Sequence, residues 1–177
     1  RHKGGGTEQK VTFICKEGTN TYHTKFSIWG FQYAKVETDI DLSTAHFESI
    51  AVYSAMEQIG HFSCGNADVN QLVHNSIWSQ KSNFCDVPTD CPTRERAAWT
   101  GDAGVFVDTG IFLEDCYSIF RKWLGECRLM QYDDGKIANI APLNSKPSFF
   151  SGLLSGSTGW GDACIIVPYA LYKRYDD

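Results

Sequence analysis

The chain has 177 residues, 42% of them hydrophobic, which is enough for one medium domain or parts of two and argues against a disordered tail. Its formal net charge of -5 argues against a general affinity for nucleic acid or an anionic membrane surface. No apolar run is long enough to span a bilayer.

Residues 1–9 are polar and glycine-rich and read as a loop or frayed end. Val11, Phe13 and Cys15 alternate with Thr12 and Ile14, which predicts a strand, and Glu17 to Asn20 is a turn. Phe26 to Val36 is dense in β-formers, with Gly30 as a candidate bulge, and Phe47 to Tyr53 reads as another strand. These strands cannot close a sheet pair alone, so residues 1–60 are expected to be the end of an antiparallel β-sandwich.

After the connector Gly60 to Gly65 the period changes from two to 3.6. Val69, Leu72, Val73 and Ile77 recur at helical spacing, with Asn66 as N-cap and Asp68 in the first turn. Pro88 is expected to close this helix, and His74 to face solvent or a neighbouring helix. Asp102 to Leu113 is mostly apolar and predicts a buried helix whose first turn holds Asp102, where a carboxylate suits the helix dipole. Asp115 is the expected N-cap of a third helix with an apolar stripe of Ile119, Phe120, Trp123, Leu124 and Cys127. Residues 136–157 contain Pro142, Pro147, Gly152 and Gly156 and show no steady period; a loop this long is expected to border a site. A last helix, capped by Ser157 or Thr158, is read from Ile165, Ile166, Tyr169, Ala170 and Tyr172, with Pro168 as an expected kink or break.

Seven cysteines include no Cys-x-x-Cys pair. Cys116, Cys127 and Cys164 fall in apolar helical contexts and read as small buried hydrophobes. Neither a disulfide framework nor a metal site is indicated, and no cofactor is expected. This usage favours a reducing compartment without excluding the periplasm. Both ends look cut, so the chain reads as a fragment of a longer protein.

The densest chemistry lies in Asp90-Cys-Pro-Thr-Arg-Glu-Arg-Ala-Ala-Trp-Thr-Gly-Asp102: three carboxylates, two guanidinium groups and an indole. Pro92 and Gly101 argue for a loop or a broken helical turn. Paired carboxylates beside a Trp are what glycoside hydrolysis uses: one protonates the leaving oxygen, the other acts on the opposite face. The indole supplies an apolar wall and desolvates its neighbours. Taken alone, the same residues also describe a surface salt-bridge loop, and composition favours that reading.

The motif resembles the signature of the bacterial α-L-rhamnosidases, glycoside hydrolase family 78. Gly156-Ser-Thr-Gly-Trp-Gly-Asp-Ala163 resembles that family's later Trp-Gly-Asp-Ala segment, and Gly30-Phe-Gln-Tyr33 its Gly-Phe-Arg-Tyr strand. Many members read Thr-Arg-Asp-Glu-Arg where this chain has Thr-Arg-Glu-Arg, and Ala98 stands where a Gly is usual. The resemblance implies an α+β chain, with sandwich strands in residues 1–60 and the opening helices of an (α/α)6 barrel in residues 61–177. It implies an inverting rhamnosidase acting on a rhamnose-containing oligosaccharide or glycoside, with Glu95 as general acid and the general base outside this chain. It implies Asp90, Arg94, Trp99 and Asp102 as substrate-binding residues, with Trp160 and Asp162 from the second motif. A non-catalytic carbohydrate-binding protein on the same scaffold, or a different (α/α)6 glycosidase or lyase, are the rival readings.

Overall fold

A computed structural model describes residues 9–143, 152 and 155–176 of the chain. Among the described residues, four helices carry the architecture: α1 (Ala67–Asn83), α2 (Thr100–Leu113), α3 (Tyr117–Leu129) and α4 (Ala163–Tyr175). Between α1 and α2 two short strands, β1 (Phe84–Cys85) and β2 (Val87–Pro88), form an antiparallel hairpin around Asp86, whose φ of 73° makes the turn. This hairpin ends α1 five residues before Pro88.

The expected β-sandwich strands are absent, and the α+β reading is corrected accordingly. Residues 9–57 hold no strand among the described residues, and Phe26 and Tyr33 are 97% and 84% exposed. Sequences rich in β-formers build a ladder only when another edge accepts their backbone groups. Here the segment bonds elsewhere: Ser54 N donates to Phe84 O at 2.8 Å, and Asp86 N to Ser54 Oγ at 2.8 Å. Farther on, Ile59 N and Gly60 N both donate to Leu113 O. The result is an extended arm laid along the helical unit.

The helices follow local sequence signals closely. Asn66 Oδ1 accepts from Asp68 N and Val69 N, capping α1 as its position predicts. In α3 the buried face is Ile119, Phe120, Trp123 and Cys127, four of the five residues of the anticipated stripe, with Leu124 partly buried against the same core. Cys116 occupies the cap position, while Asp115 Oδ1 takes the Tyr117 N–H at 3.3 Å. In α4 the orientation differs from expectation. Ala163, Val167, Ala170 and Leu171 are buried, whereas Ile165, Ile166, Tyr169 and Tyr172 are exposed; Pro168 does not interrupt the helix.

The reason lies in α2, whose inner face carries Gly101, Ala103, Gly104 and Val107. Side chains this small let α4 approach with its own small residues. A Cβ on Gly104 would sit 3.4 Å from that of Ala163, an ordinary close contact. One turn earlier, the indole of Trp160 fills the space over Gly101, where a Cβ would lie 2.9 Å from its Cδ1. The shared core adds Phe84, Ile111, Phe120 and Trp123, with Phe84 and Phe120 packed edge to face at 5.5 Å. The Trp123 indole also donates to Ala141 O at 2.8 Å, tying the segment after α3 into the core. Cys116 and Cys127 are buried and Cys164 is half-buried against the same core; all seven cysteines are free thiols.

Just past α2, Glu114 is wholly buried, 3.4 Å from Lys81 Nζ, and neither carboxyl oxygen has a hydrogen-bond partner. Burial pushes its carboxyl above the usual range, outweighing the attraction of Lys81. A carboxyl whose folded pKa exceeds its unfolded value contributes stability below the unfolded value, and that contribution is lost as pH rises through the folded one. Relative to Glu114→Gln, the native chain should therefore gain stability as pH falls from about 7 to about 4. Thermal denaturation of both proteins across that range checks this; parallel curves would contradict it. Gly101→Ala should push Trp160 off α2 and cost about 1–3 kcal/mol by overpacking. The Trp99 and Trp160 rings lie 6.5 Å apart, so loss of their coupled circular-dichroism signal is the structural readout.

Candidate active site

The loop from Asp90 to Trp99 closes on itself. Asp90 N donates to Ala97 O, and Ala97 N returns to Asp90 Oδ1, both at 2.9 Å. Inside this clasp the Glu95 N–H is taken by Cys91 Sγ at 3.2 Å, and Arg96 turns the chain in the left-handed region with φ 50°. The loop then meets the segment after α3: Ala141 N donates to Ala98 O at 3.1 Å, and Thr100 N to Asn139 O at 2.9 Å. These bonds fix where α2 begins and so where Asp102 sits.

Glu95 is exposed, but its carboxylate is not free. Oε2 accepts the Trp99 indole N–H at 2.9 Å, and Oε1 is ion-paired with Arg94. Trp99 stands edge-on to Trp160, with the rings at 64°. Asp102 lies in the first turn of α2. Partial withdrawal from water raises its carboxyl above the usual range; its own backbone N–H opposes this, and the negative charges of Asp90 and Glu95 reinforce it.

Two cavities flank the loop. One of about 590 Å³ is bordered by Asp90, Asp102 and Trp160, with Phe84, Val105 and Phe106 as apolar wall. The other, of about 850 Å³, lies between the arm and the loop and is bordered by Trp29, Tyr53, Trp78, Lys81, Glu95 and Arg96. Asn83 and Thr89 border both, and Thr89 Oγ1 donates to Asn83 O at 2.9 Å.

The structure thus brings Asp90, Asp102 and Trp160 to one cavity and Glu95 to its neighbour. Trp99 bridges the two groups by contacting both Glu95 and Trp160. Arg94 borders neither cavity and reaches the site through Glu95. Asp162 also borders neither; its Oδ2 accepts the Gly159 N–H at 2.9 Å and closes the turn that presents Trp160. Of the 136–157 loop, residues 144–151, 153 and 154 lie outside the described residues. Sequence reasoning missed Gly101 as the seat of Trp160, and the Asn83–Thr89 ridge; a glycine at the start of a buried helix was the available signal for the first. Among the described residues, no group of three or more His, Cys, Asp or Glu is placed to hold a metal ion, and no helix is long and apolar enough to cross a membrane.

Residues 57–177 match the family model described as the bacterial alpha-L-rhamnosidase 6 hairpin glycosidase domain. An alpha-L-rhamnosidase of Formosa agariphila is 37% identical over 167 residues, covering 92% of this chain and 17% of that protein. The crystal structure of Streptomyces avermitilis alpha-L-rhamnosidase complexed with L-rhamnose aligns with a TM-score of 0.65 and 36% identity, over 71% of this chain and 12% of that one. The alpha-L-rhamnosidase of Dictyoglumus thermophilum aligns with a TM-score of 0.64 and 34% identity, over 71% of this chain and 14% of that one. The chain spans 16–19% of the length of the curated relatives it matches. With the helical unit, the clasped acidic loop and these matches in agreement, the chain belongs to the bacterial alpha-L-rhamnosidase six-hairpin glycosidase family.

Proposed function

We propose that the protein containing this chain hydrolyses terminal α-L-rhamnosides with inversion of configuration, Glu95 acting as general acid. The observation that carries the reading is the carboxyl of Glu95 held by the Trp99 indole beside a cavity edged by Asp90, Asp102 and Trp160. Residues 61–177 supply the opening helices of an (α/α)6 barrel in this reading. The general base is a carboxylate outside these residues, since the remaining acids here match no second motif.

In the reaction, the Glu95 carboxyl gives its proton to the glycosidic oxygen as the bond to the anomeric carbon breaks. A water on the opposite face attacks that carbon and yields its proton to the base, roughly 6.5–9.5 Å from the acid. The products are a free alcohol and a rhamnose of inverted anomeric configuration. Asp102 accepts hydrogen bonds from the sugar's hydroxyls, as does the Asp90 oxygen not used in the clasp. Trp160 and the Phe106 wall take the apolar 6-methyl edge of the deoxy sugar. Arg94 occupies one oxygen of Glu95 in the free protein, so substrate must draw it away, onto a hydroxyl, before the acid is used. The same pair is the observation favouring the rival, a binding protein without turnover, because it occupies an oxygen of the proposed acid.

Glu95→Gln in the full-length protein should lower kcat by about 10²–10⁴-fold with KM nearly unchanged. Equal turnover on methyl α-L-rhamnoside, whose alkoxide leaving group needs the proton, would remove Glu95 as the acid, and no turnover by the native protein would favour the rival. Because Asp90 helps to raise Asp102, Asp90→Asn should lower the Asp102 carboxyl towards its ordinary value. Asp102 would then stay ionised further into acid, and rhamnose binding should persist to lower pH than in the native protein. Calorimetric titration with rhamnose at several pH values tests this, and an unmoved acid limb speaks against Asp102 as the acceptor.

A further inference from the structure

The arm reaches the loop on both sides of Glu95. Gly30 N donates to Pro92 O at 3.1 Å, and the Arg96 guanidinium donates to Ile28 O. Gln9 Nε2 adds a bond to Thr93 O at 3.1 Å. The Gly30 contact is backbone against backbone, and it exists because Gly30 has no side chain. A Cβ there would lie 2.7 Å from Thr93 Cγ2 and 3.0 Å from Pro92 O, and the second atom cannot swing aside.

These three bonds hold the outer side of the turn. The Glu95 side chain is 37% exposed and its ionic partner Arg94 49% exposed, so their pair is too hydrated to set a geometry by itself. The Asp90–Ala97 clasp fixes the ends of the loop but not its tip. Arg96 directly follows Glu95 and sits at positive φ, where its backbone would relax if its side chain were released.

We propose that Ile28 and Gly30 of the arm, with Arg96, are positioning residues for the acid: they clamp the Pro92–Arg96 turn so that the Glu95 carboxyl stays on Trp99 and at the leaving oxygen. The proposal rests on Glu95 being the general acid. The arm therefore acts on the proton-transfer step and not merely on the fold.

Leaving-group dependence separates these roles. A nitrophenolate departs with little help, whereas an alkoxide needs its proton. In the full-length protein, Gly30→Ala and Arg96→Ala should lower kcat on methyl α-L-rhamnoside by about tenfold or more, and on 4-nitrophenyl α-L-rhamnoside by no more than about threefold, with KM little changed. Arg96→Lys, which keeps one donor for Ile28 O, should recover part of the loss. The Trp99 indole N–H resonance should move in both Ala variants towards its position in Glu95→Ala. Arg96→Ala, at a half-buried surface residue, keeps the test available if Gly30→Ala does not fold. Equal losses on the two substrates, or none, together with an unmoved indole resonance, would overturn the proposal while leaving the acid intact, provided Glu95→Gln itself discriminates between the substrates. Failure of Glu95→Gln to discriminate would sink the acid assignment, and with it the arm's role.

Discussion

The reciprocal bond between Asp90 and Ala97 is the constraint from which the rest of the site follows. One carboxylate oxygen and three backbone groups are committed to closing an eight-residue loop. Within the closed loop Arg96 lies in the left-handed region, and Glu95 stands within hydrogen-bonding distance of Trp99. A carboxylate accepting a backbone N–H is worth more than an exposed ion pair of the kind Glu95 makes with Arg94. The clasp uses one of the two carboxylate oxygens of Asp90.

From the clasp, order passes to the core by backbone bonds. Ala98 and Thr100 meet Ala141 and Asn139, and Ala141 in turn accepts the buried Trp123 indole N–H. A loop rich in charge is thereby fastened to a fully buried aromatic of the core. On the opposite flank the small residues of α2 admit α4 and seat Trp160 over Gly101. The site consequently depends on two unlike supports: a polar ladder on one side and a seam of glycine and alanine on the other.

The consequence for chemistry is electrostatic. Asp90, Glu95 and Asp102 are near enough for the first two to raise the third, while Arg94 offsets the charge of Glu95. Removing Asp90 or Glu95 alters the surroundings of the Asp102 carboxyl as well as the contacts within the loop. Mutational effects at this site should therefore be non-additive.

The sequence alone determined much of the helical unit. Asn66 as a cap, the Ile119–Cys127 stripe and Asp102 in a first turn are set by residues within one or two turns of each other, and the clustered acids and indole of the motif were legible in the same way. It did not determine the fate of residues 9–57, because a strand is defined by a distant edge, and the β-formers of the arm find none. Nor did it determine which face of α4 turns inward: Ile165 and Tyr169 are the more apolar choice, but Gly101 and Gly104 on another helix offer room only for small side chains. The division of the predicted residues between two cavities, and the reason Gly30 and Gly101 carry no side chain, likewise belong to tertiary contact, where the space beside a residue is made by atoms dozens of positions away.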